Sequence, residues 1–310
     1  MLKGGRSLER QVSLSSGARV EDALERLGHD VVAIDVGQDL VEQLLETAPD
    51  VAFVALHGRD GEDGTVQELL ELLGIPYTAS GVSACIRSSD KVLAKHIMRD
   101  AGLPTPDFYA FNETAFKELG AAAALEAVEE RLSFPIVVKP AGQGSALGVK
   151  FARSAEEVPA ALVAAFSYDR KVLLERFVRG RELAVSVLDD TPSPVALPIV
   201  EVVPRAEDFY DFASRYDIGS ATFVCPAQLP PELDARAKQL ALDVYAALGC
   251  FGFARVDMIL AEDSSELAVL ELNTIPGLTE TSLLPQAADA AGIDFDSLIE
   301  RLLTTALARG

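Results

Sequence analysis

Over its first hundred residues the chain alternates short apolar runs with amphipathic helical stretches, and this alternation constrains the fold more than any other feature. Ser15 and Ser16 read as N-cap residues before RVEDALERL, a helix that stops at Gly28. VVAID (31–35) reads as a strand, 39–47 as a helix and VAFVAL (51–56) as a buried strand. TVQELLELLG (65–74) and DKVLAKHIMRDAG (90–102) are two more helical patterns. Such an order predicts a parallel, doubly wound sheet whose ligand loops lie at the carboxyl ends of its strands.

After LPTPDF (103–108), a linker with two prolines, the pattern changes. A helix is expected over 113–131, with Ala121 to Ala124 inside it. Paired strands follow: FPIVVKP, GVKFA, VLLERF and ELAVSVL. PSPVALPIVEVV then leads into a polar, aromatic loop, EDFYDFASRYDIGSATFVCP, and a helix (231–248), a strand pair and a closing helix (296–308) complete the chain. A length of 310 residues suits about two domains of ordinary size or three small ones.

Composition narrows the function. With 27 Lys and Arg against 48 Asp and Glu, the net charge is −21, which argues against partners such as nucleic acid or an anionic membrane. A small anionic ligand needs only a few placed cations and remains compatible. No apolar run reaches the roughly 18–20 residues that span a bilayer. Cys85, Cys225 and Cys250 are odd in number and dispersed, so reduced thiols and a cytoplasmic location are expected. Neither they nor His29, His57 and His96 have zinc-site spacing.

Two segments carry chemistry. FGFARVDMIL and ELAVLELNT, joined by AEDSSE, read as a hairpin. Alternation puts Val256, Met258 and Leu260 on one face and Arg255, Asp257 and Ile259 on the other; on the second strand Ala268, Leu270 and Leu272 oppose Val269, Glu271 and Asn273. A hairpin symmetric about residue 264 sets Asp257 opposite Glu271 and Arg255 opposite Asn273. Facing carboxylates repel, so they call for a cation, and Asp, Glu and Asn oxygens suit Mg²⁺ shared with phosphate. The same pattern also fits a solvent-facing strand with ordinary surface acids. The second segment, KPAGQGSALG (139–148), could bring backbone N–H groups against phosphates beside Lys139, or be a plain glycine-rich turn. It lacks the GxxxxGK[ST] order. Glu175 and Glu182 flank ERFVRGRE, either as acceptors for a nucleotide or as solvated acids.

These pieces stand in the order found in a known family. GGRSLERQVSLSSG (4–17), ALHGRDGEDGTVQELLELLGIPYTASGV (55–82), SSDK (88–91), KPAGQGSALG, LLERFVRGRE, FYDFASRY, ARVD and LELNTIPGLTETSLLP together resemble the D-alanine–D-alanine ligases. The resemblance implies α/β and α+β architecture: an N-terminal Rossmann-like (pre-ATP-grasp) parallel sheet (1–102) followed by a two-lobed ATP-grasp fold (103–180 and 181–310). It implies ATP and Mg²⁺ (Mn²⁺ can substitute) as cofactors, D-alanine as substrate, a homodimer, and dipeptide formation through D-alanyl phosphate for peptidoglycan synthesis.

By the same resemblance Lys91 and Lys139 contact ATP phosphates under the loop that carries Gly144 and Ser145. Glu175 meets the adenine amino group, Phe177 and Val178 line the base, and Glu182 binds ribose. Asp257, Glu271 and Asn273 fall on the metal ligands. Glu9 holds the first ammonium, linked to Ser145 and Tyr216, and His57 lies near the first substrate. Arg255 and the Gly277 N–H face the oxyanion, and Ser282 with Leu283 binds the second carboxylate. Arg215 stands where the family usually has lysine, a fork in place of a point charge. Tyr216 favours an amine acceptor over D-lactate.

Four further departures are visible: Gln11 where an acid is commoner, Ala146 for a second serine, and Phe212 and Ala213 in the lid loop of 205–225. Only Met1, Leu2 and Lys3 precede Gly4, so the family's buried first strand is expected to be missing, from a truncated or misassigned start, leaving a less stable first domain and a poorly placed Glu9. Competing readings are a ligase with D-lactate or D-serine as acceptor, a nucleotide-binding protein without catalysis, and a Rossmann oxidoreductase. The last lacks a GxGxxG after a strand.

Overall fold

The computed structural model of the protein describes residues 1–120, 125–189, 193–204 and 221–308. Its first region contains β1 (Leu2–Lys3), α1 (Arg10–Arg26), β2 (Ile34–Asp35), α2 (Leu40–Thr47), α3 (Thr65–Leu73), α4 (Val82–Ser89) and α5 (Lys91–Asp100). β1 pairs in parallel with β2, and Leu2 bridges in parallel to Val54. The expectation of a missing first strand is therefore corrected. A short strand is present at Leu2–Lys3: Leu2 is buried and backbone groups of residues 1 and 2 bond to both neighbours, Ile34 N to Met1 O, Leu2 N to Phe53 O and Ala55 N to Leu2 O. The 51–56 segment pairs only through single bridges, at Ala52 and Val54, rather than as a continuous strand.

Helix α1 starts at Arg10, nine residues before the expected stretch, which places Ser15 and Ser16 inside it rather than at its cap. Val12, Ser16, Val20 and Leu24 recur every four residues along its buried stripe, so Ser16 faces inward with no exposure. Gly17 permits the close crossing over β1, since a Cβ there would lie 2.5 Å from the Lys3 side chain.

The middle region holds β3 (Phe108–Asn112), α6 (Glu113–Glu118), α7 (Glu126–Leu132), β4 (Ile136–Pro140), β5 (Lys150–Ala152), α8 (Val158–Phe166) and β6 (Lys171–Arg176). Its sheet runs β3-β6-β4-β5, all antiparallel, with α7 and α8 packed through Val128, Leu132, Val158 and Leu162. The single helix expected over 113–131 is two: α6 ends at Glu118, and Gly120 takes a φ of 72°. Ala121 to Ala124 fall outside the described residues.

The last region comprises β7 (Gly180–Leu188), β8 (Val195–Ala196), β9 (Val200–Pro204), β10 (Ala221–Val224), α9 (Pro231–Leu248), β11 (Phe253–Ala261), β12 (Leu267–Asn273), α10 (Leu283–Ala290) and α11 (Phe295–Leu307). Strand order is β10-β9-β7-β11-β12, with β8 also on β7. This sheet is covered on both faces. On one, Val185, Val256 and Met258 pack against α9 and against Ala94 and Met98 of α5. On the other, Ala184, Leu188 and Phe253 share a core with α10, α11 and the first region. The chain end thus returns to α1, where Arg26 pairs with Asp296 and Arg19 lies 3.7 Å over the Phe295 ring. No described helix is long and apolar enough to cross a membrane.

The β11–β12 register sets Asp257 opposite Glu271 and Arg255 opposite Asn273, the pairing read from the hairpin symmetry. Below that rung a bulge shifts the partners to Met258–Val269 and Leu260–Leu267. The bulge reverses the expected faces of the lower strand: Val269 and Leu267 turn into the core with Met258, and Leu270 is only half-buried.

Candidate active site

A cavity of about 290 Å³ opens where all three regions meet. Glu9, His57, Lys91, Gly144 and Ser145 line one part of it; Glu182, Arg255, Asp257, Glu271 and Asn273 line another, and Gly277, Ser282 and Leu283 close the end. Residues up to 274 positions apart in sequence, Glu9 and Leu283, converge here.

Glu9 precedes α1 but does not cap it; its carboxylate turns into the cavity and accepts from the Ser145 hydroxyl. Its other oxygen, Oε2, is buried with no hydrogen-bond partner among the described residues. A buried acceptor left open costs free energy unless a ligand supplies a donor. Burial raises the Glu9 carboxyl above its ordinary value and the neighbouring Glu62 adds to this, while Ser145, His57 and Lys91 pull it back. The loop that reaches Glu9 is strained for the purpose: Ser145 and Ala146 adopt φ of 53° and 56°, unusual for residues with side chains. At Gly144 a Cβ would come within 3.0 Å of Glu9 Oε2. Lys91 Nζ donates to the Gln143 carbonyl and Gly142 N–H to Asp169, so the loop is tethered on both sides.

On the hairpin wall, Asp257 and Glu271 face each other, and each is matched by a cation. Arg255 forms a two-pronged bond to Asp257, 2.7 Å on each arm, and Lys91 Nζ lies 3.0 Å from Glu271. Among the described residues no three His, Cys, Asp or Glu side chains cluster as a metal site. The donor set is instead two carboxylates plus the Asn273 amide, all hard oxygens facing the cavity, and that set fits Mg²⁺ completed by phosphate or water. Asn273 Oδ1 also accepts from Ile275 N–H, which fixes the turn into the Gly277 loop.

Glu175 lies outside this lining. It is 2% exposed, between Lys139 (2.7 Å) and Lys95, whose ammonium pairs with its second oxygen. Burial opposes its charge, but Lys139 and Lys95 together hold its carboxyl below the ordinary range. Burial draws the Lys95 ammonium down to about 8 despite Glu175 beside it. Lys139, Phe177 and Val178 are likewise absent from the cavity wall. Arg215 and Tyr216, with Phe212 and Ala213, lie outside the described residues. Sequence reading passed over Lys95; the available signal was its place four residues after Lys91 on a helix whose Ala94 and Met98 face a core.

The family description "D-ala D-ala ligase C-terminus" matches residues 97–304, and "D-ala D-ala ligase N-terminus" matches 37–80. The chain belongs to the D-alanine–D-alanine ligase family. A D-alanine–D-alanine ligase of Geobacter sulfurreducens is 44% identical over 307 residues, covering 99% of this chain and 93% of the relative. The crystal structure of the Bacillus anthracis D-alanine–D-alanine ligase is 36% identical with a TM-score of 0.85, over 99% of this chain and 96% of that one. The same enzyme complexed with ATP is 34% identical with a TM-score of 0.82, over the same shares of the two chains. Family membership carries the ATP-grasp fold, and the ATP-bound relative superposes along nearly the whole of this chain.

Proposed function

We propose that this family member joins two D-alanines at the expense of ATP, giving D-alanyl-D-alanine for peptidoglycan. One observation carries the reading: a buried carboxylate oxygen of Glu9, open on the cavity side beside a glycine loop and an Asp–Glu–Asn rung. An amino-acid ammonium satisfies the first, and a nucleoside triphosphate the other two.

The nucleotide lies under the Gly142–Gly148 loop, with Lys91 toward its phosphates and Glu182 toward ribose. Glu175, Phe177 and Val178 face the base; Lys139 then leaves Glu175 for the phosphates, and Lys95 remains to balance that carboxylate. Asp257, Glu271 and Asn273 would hold Mg²⁺, which supplies charge neutralisation on the phosphate oxygens. Glu9 orients the first D-alanine so that its carboxylate oxygen attacks the γ-phosphorus, ADP departs and an acyl phosphate forms. The amine of the second D-alanine, held by Ser282 and Leu283, attacks the acyl carbon. Arg255 and the Gly277 N–H face the oxygen that becomes negative, and phosphate leaves. Gly277 packs so closely that a Cβ would lie 2.6 Å from Ser282 Oγ.

The cytoplasmic location belongs to the same proposal, supported by three free cysteines. So does a homodimer, supported by exposed Leu72 on α3 and Ile86 on α4. The test is D-alanine-dependent ADP release with product identification, repeated with D-lactate and D-serine as acceptors. Dipeptide formation is expected; a folded preparation whose ATP turnover ignores D-alanine overturns the proposal.

A further inference from the structure

The loop from Ile275 to Ser282 carries the groups assigned above to the second amino acid, yet several of its hydrogen bonds run to the first region of the chain. Leu278 N–H donates to Ser16 Oγ at 3.1 Å. Ser16 Oγ lies 3.0 Å from His57 Nε2, and His57 Nδ1 lies 3.0 Å from the Ile275 carbonyl. Directions follow from the end groups. A carbonyl can only accept, so Nδ1 carries the proton; a backbone N–H can only donate, so Ser16 Oγ accepts it and gives its own proton to Nε2. The circuit starts and ends on the same loop, at 278 and 275. Glu62 Oε1, 3.6 Å from Nδ1, lies on the protonated side and is compatible with it. One turn further along α1, Arg19 donates to the carbonyls of Leu278 (3.2 Å) and Thr279 (2.9 Å). Thr279 in turn donates its N–H to Ser282 Oγ at 3.0 Å, and their hydroxyls are 2.8 Å apart.

We infer that Ser16, His57 and Arg19 are positioning residues that clamp the acceptor loop onto α1. In this role His57 is not a free base or a substrate ligand, because both ring nitrogens are engaged. The clamp sets the Gly277 N–H and the Ser282 hydroxyl relative to Glu9, which α1 itself delivers. One rigid helix thereby fixes the distance between the two amino-acid sites. Loosening it leaves acyl phosphate formation intact but misplaces the second amine. Water then takes its place: the acyl carbon–oxygen bond breaks to water, returning D-alanine and phosphate.

The inference rests on the acceptor-side reading of Gly277 and Ser282, so Ser282→Ala serves as the reference variant. Ser16→Ala and Arg19→Ala are compared with it and with wild type in the full-length enzyme. Each is expected to raise KM for the second D-alanine by about tenfold, as one lost or misaligned hydrogen bond would do, with KM for ATP within about twofold. ADP released per dipeptide formed should rise above one, and Arg19→Lys, which keeps the charge over Phe295, should restore part of the coupling. Arg19 is only half-buried at the edge of the core, so its variant reports even where Ser16→Ala folds poorly. If Ser282→Ala shifts the acceptor KM while both clamp variants leave KM and coupling at wild-type values, the clamp is refuted. Should Ser282→Ala itself change nothing, the acceptor reading falls and the clamp with it.

Discussion

At the amino-acid end of the cavity, Glu9, Ser16 and His57 are held by hydrogen bonds to neutral groups: a serine hydroxyl, a backbone N–H and a carbonyl. At the end proposed for the nucleotide the lining acids are matched as ions, Arg255 with Asp257 and Lys91 with Glu271, and outside the lining Lys139 and Lys95 match Glu175. The first arrangement is rigid and leaves one acceptor open for a small cationic group. The second is balanced in the free protein, so binding a polyanion exchanges partners rather than burying new charge unpaired. A buried ion costs several kcal/mol unless paired, which explains why the nucleotide side is compensated before ATP arrives.

Substitutions test whether the two ends differ in this way. Asp257→Asn should have the largest effect, lowering kcat/KM about a thousandfold by removing a hard ligand from the phosphoryl-transfer side. Steady-state ADP release measures it, and full activity would contradict the role given to the hairpin rung. Lys95→Met leaves Glu175 with half its compensation, so urea denaturation should show a loss of about 3 kcal/mol. No loss would mean that Lys139 alone balances the carboxylate.

Glu9→Gln separates the two ends most sharply. Replacing the ionised acceptor should raise KM for the first D-alanine about thirtyfold, the cost of a charge-assisted hydrogen bond. The free protein should respond the other way. Because the folded Glu9 carboxyl titrates above its ordinary 4.5, the fold keeps a proton that the unfolded chain has released. Ionising Glu9 therefore weakens the fold as pH rises through that window, and the full cost is present above it. The variant should melt higher than wild type near neutrality, with the gap closing as pH falls toward the ordinary carboxylate value. Thermal melts across that range read the difference; a variant that melts lower at neutral pH would place Glu9 on the compensated side instead. Ser145→Ala is the mildest change: a single hydrogen bond to Glu9 lost, about 1 kcal/mol, or five- to tenfold in kcat/KM.

Much of the hairpin was legible before any coordinates. A hairpin taken as symmetric about residue 264 faced Asp257 with Glu271, and the structure has that pairing. The reversal at Val269 was not legible, because a bulge changes side-chain direction without a glycine or proline to mark it. Ser16 illustrates a second kind of failure. Serine before an amphipathic run resembles an N-cap, and the period-four row Val12, Ser16, Val20, Leu24 competes with that signal. Which one prevails depends on whether a buried hydroxyl finds partners, and those partners are His57 and Leu278, far away in sequence. Glu175 looked like a solvent-facing or ligand-facing acid, and only packing beside Lys95 and Lys139 reveals it as the buried partner of two cations.

Sequence alone determined the broad alternation of strands and helices, the hairpin rung, the glycine loop and the family, since these depend on local periodicity and on short motifs in a fixed order. Tertiary structure decided the rest: that Leu2 and Lys3 pair as a first strand, that α5 joins the core of the last region, and that the chain end returns to α1. It also decided that α1, through Ser16 and Arg19, bonds to the loop of Leu278 and Thr279. Those outcomes depend on which distant groups satisfy a buried polar atom, and burial is a property of the assembled chain rather than of any segment.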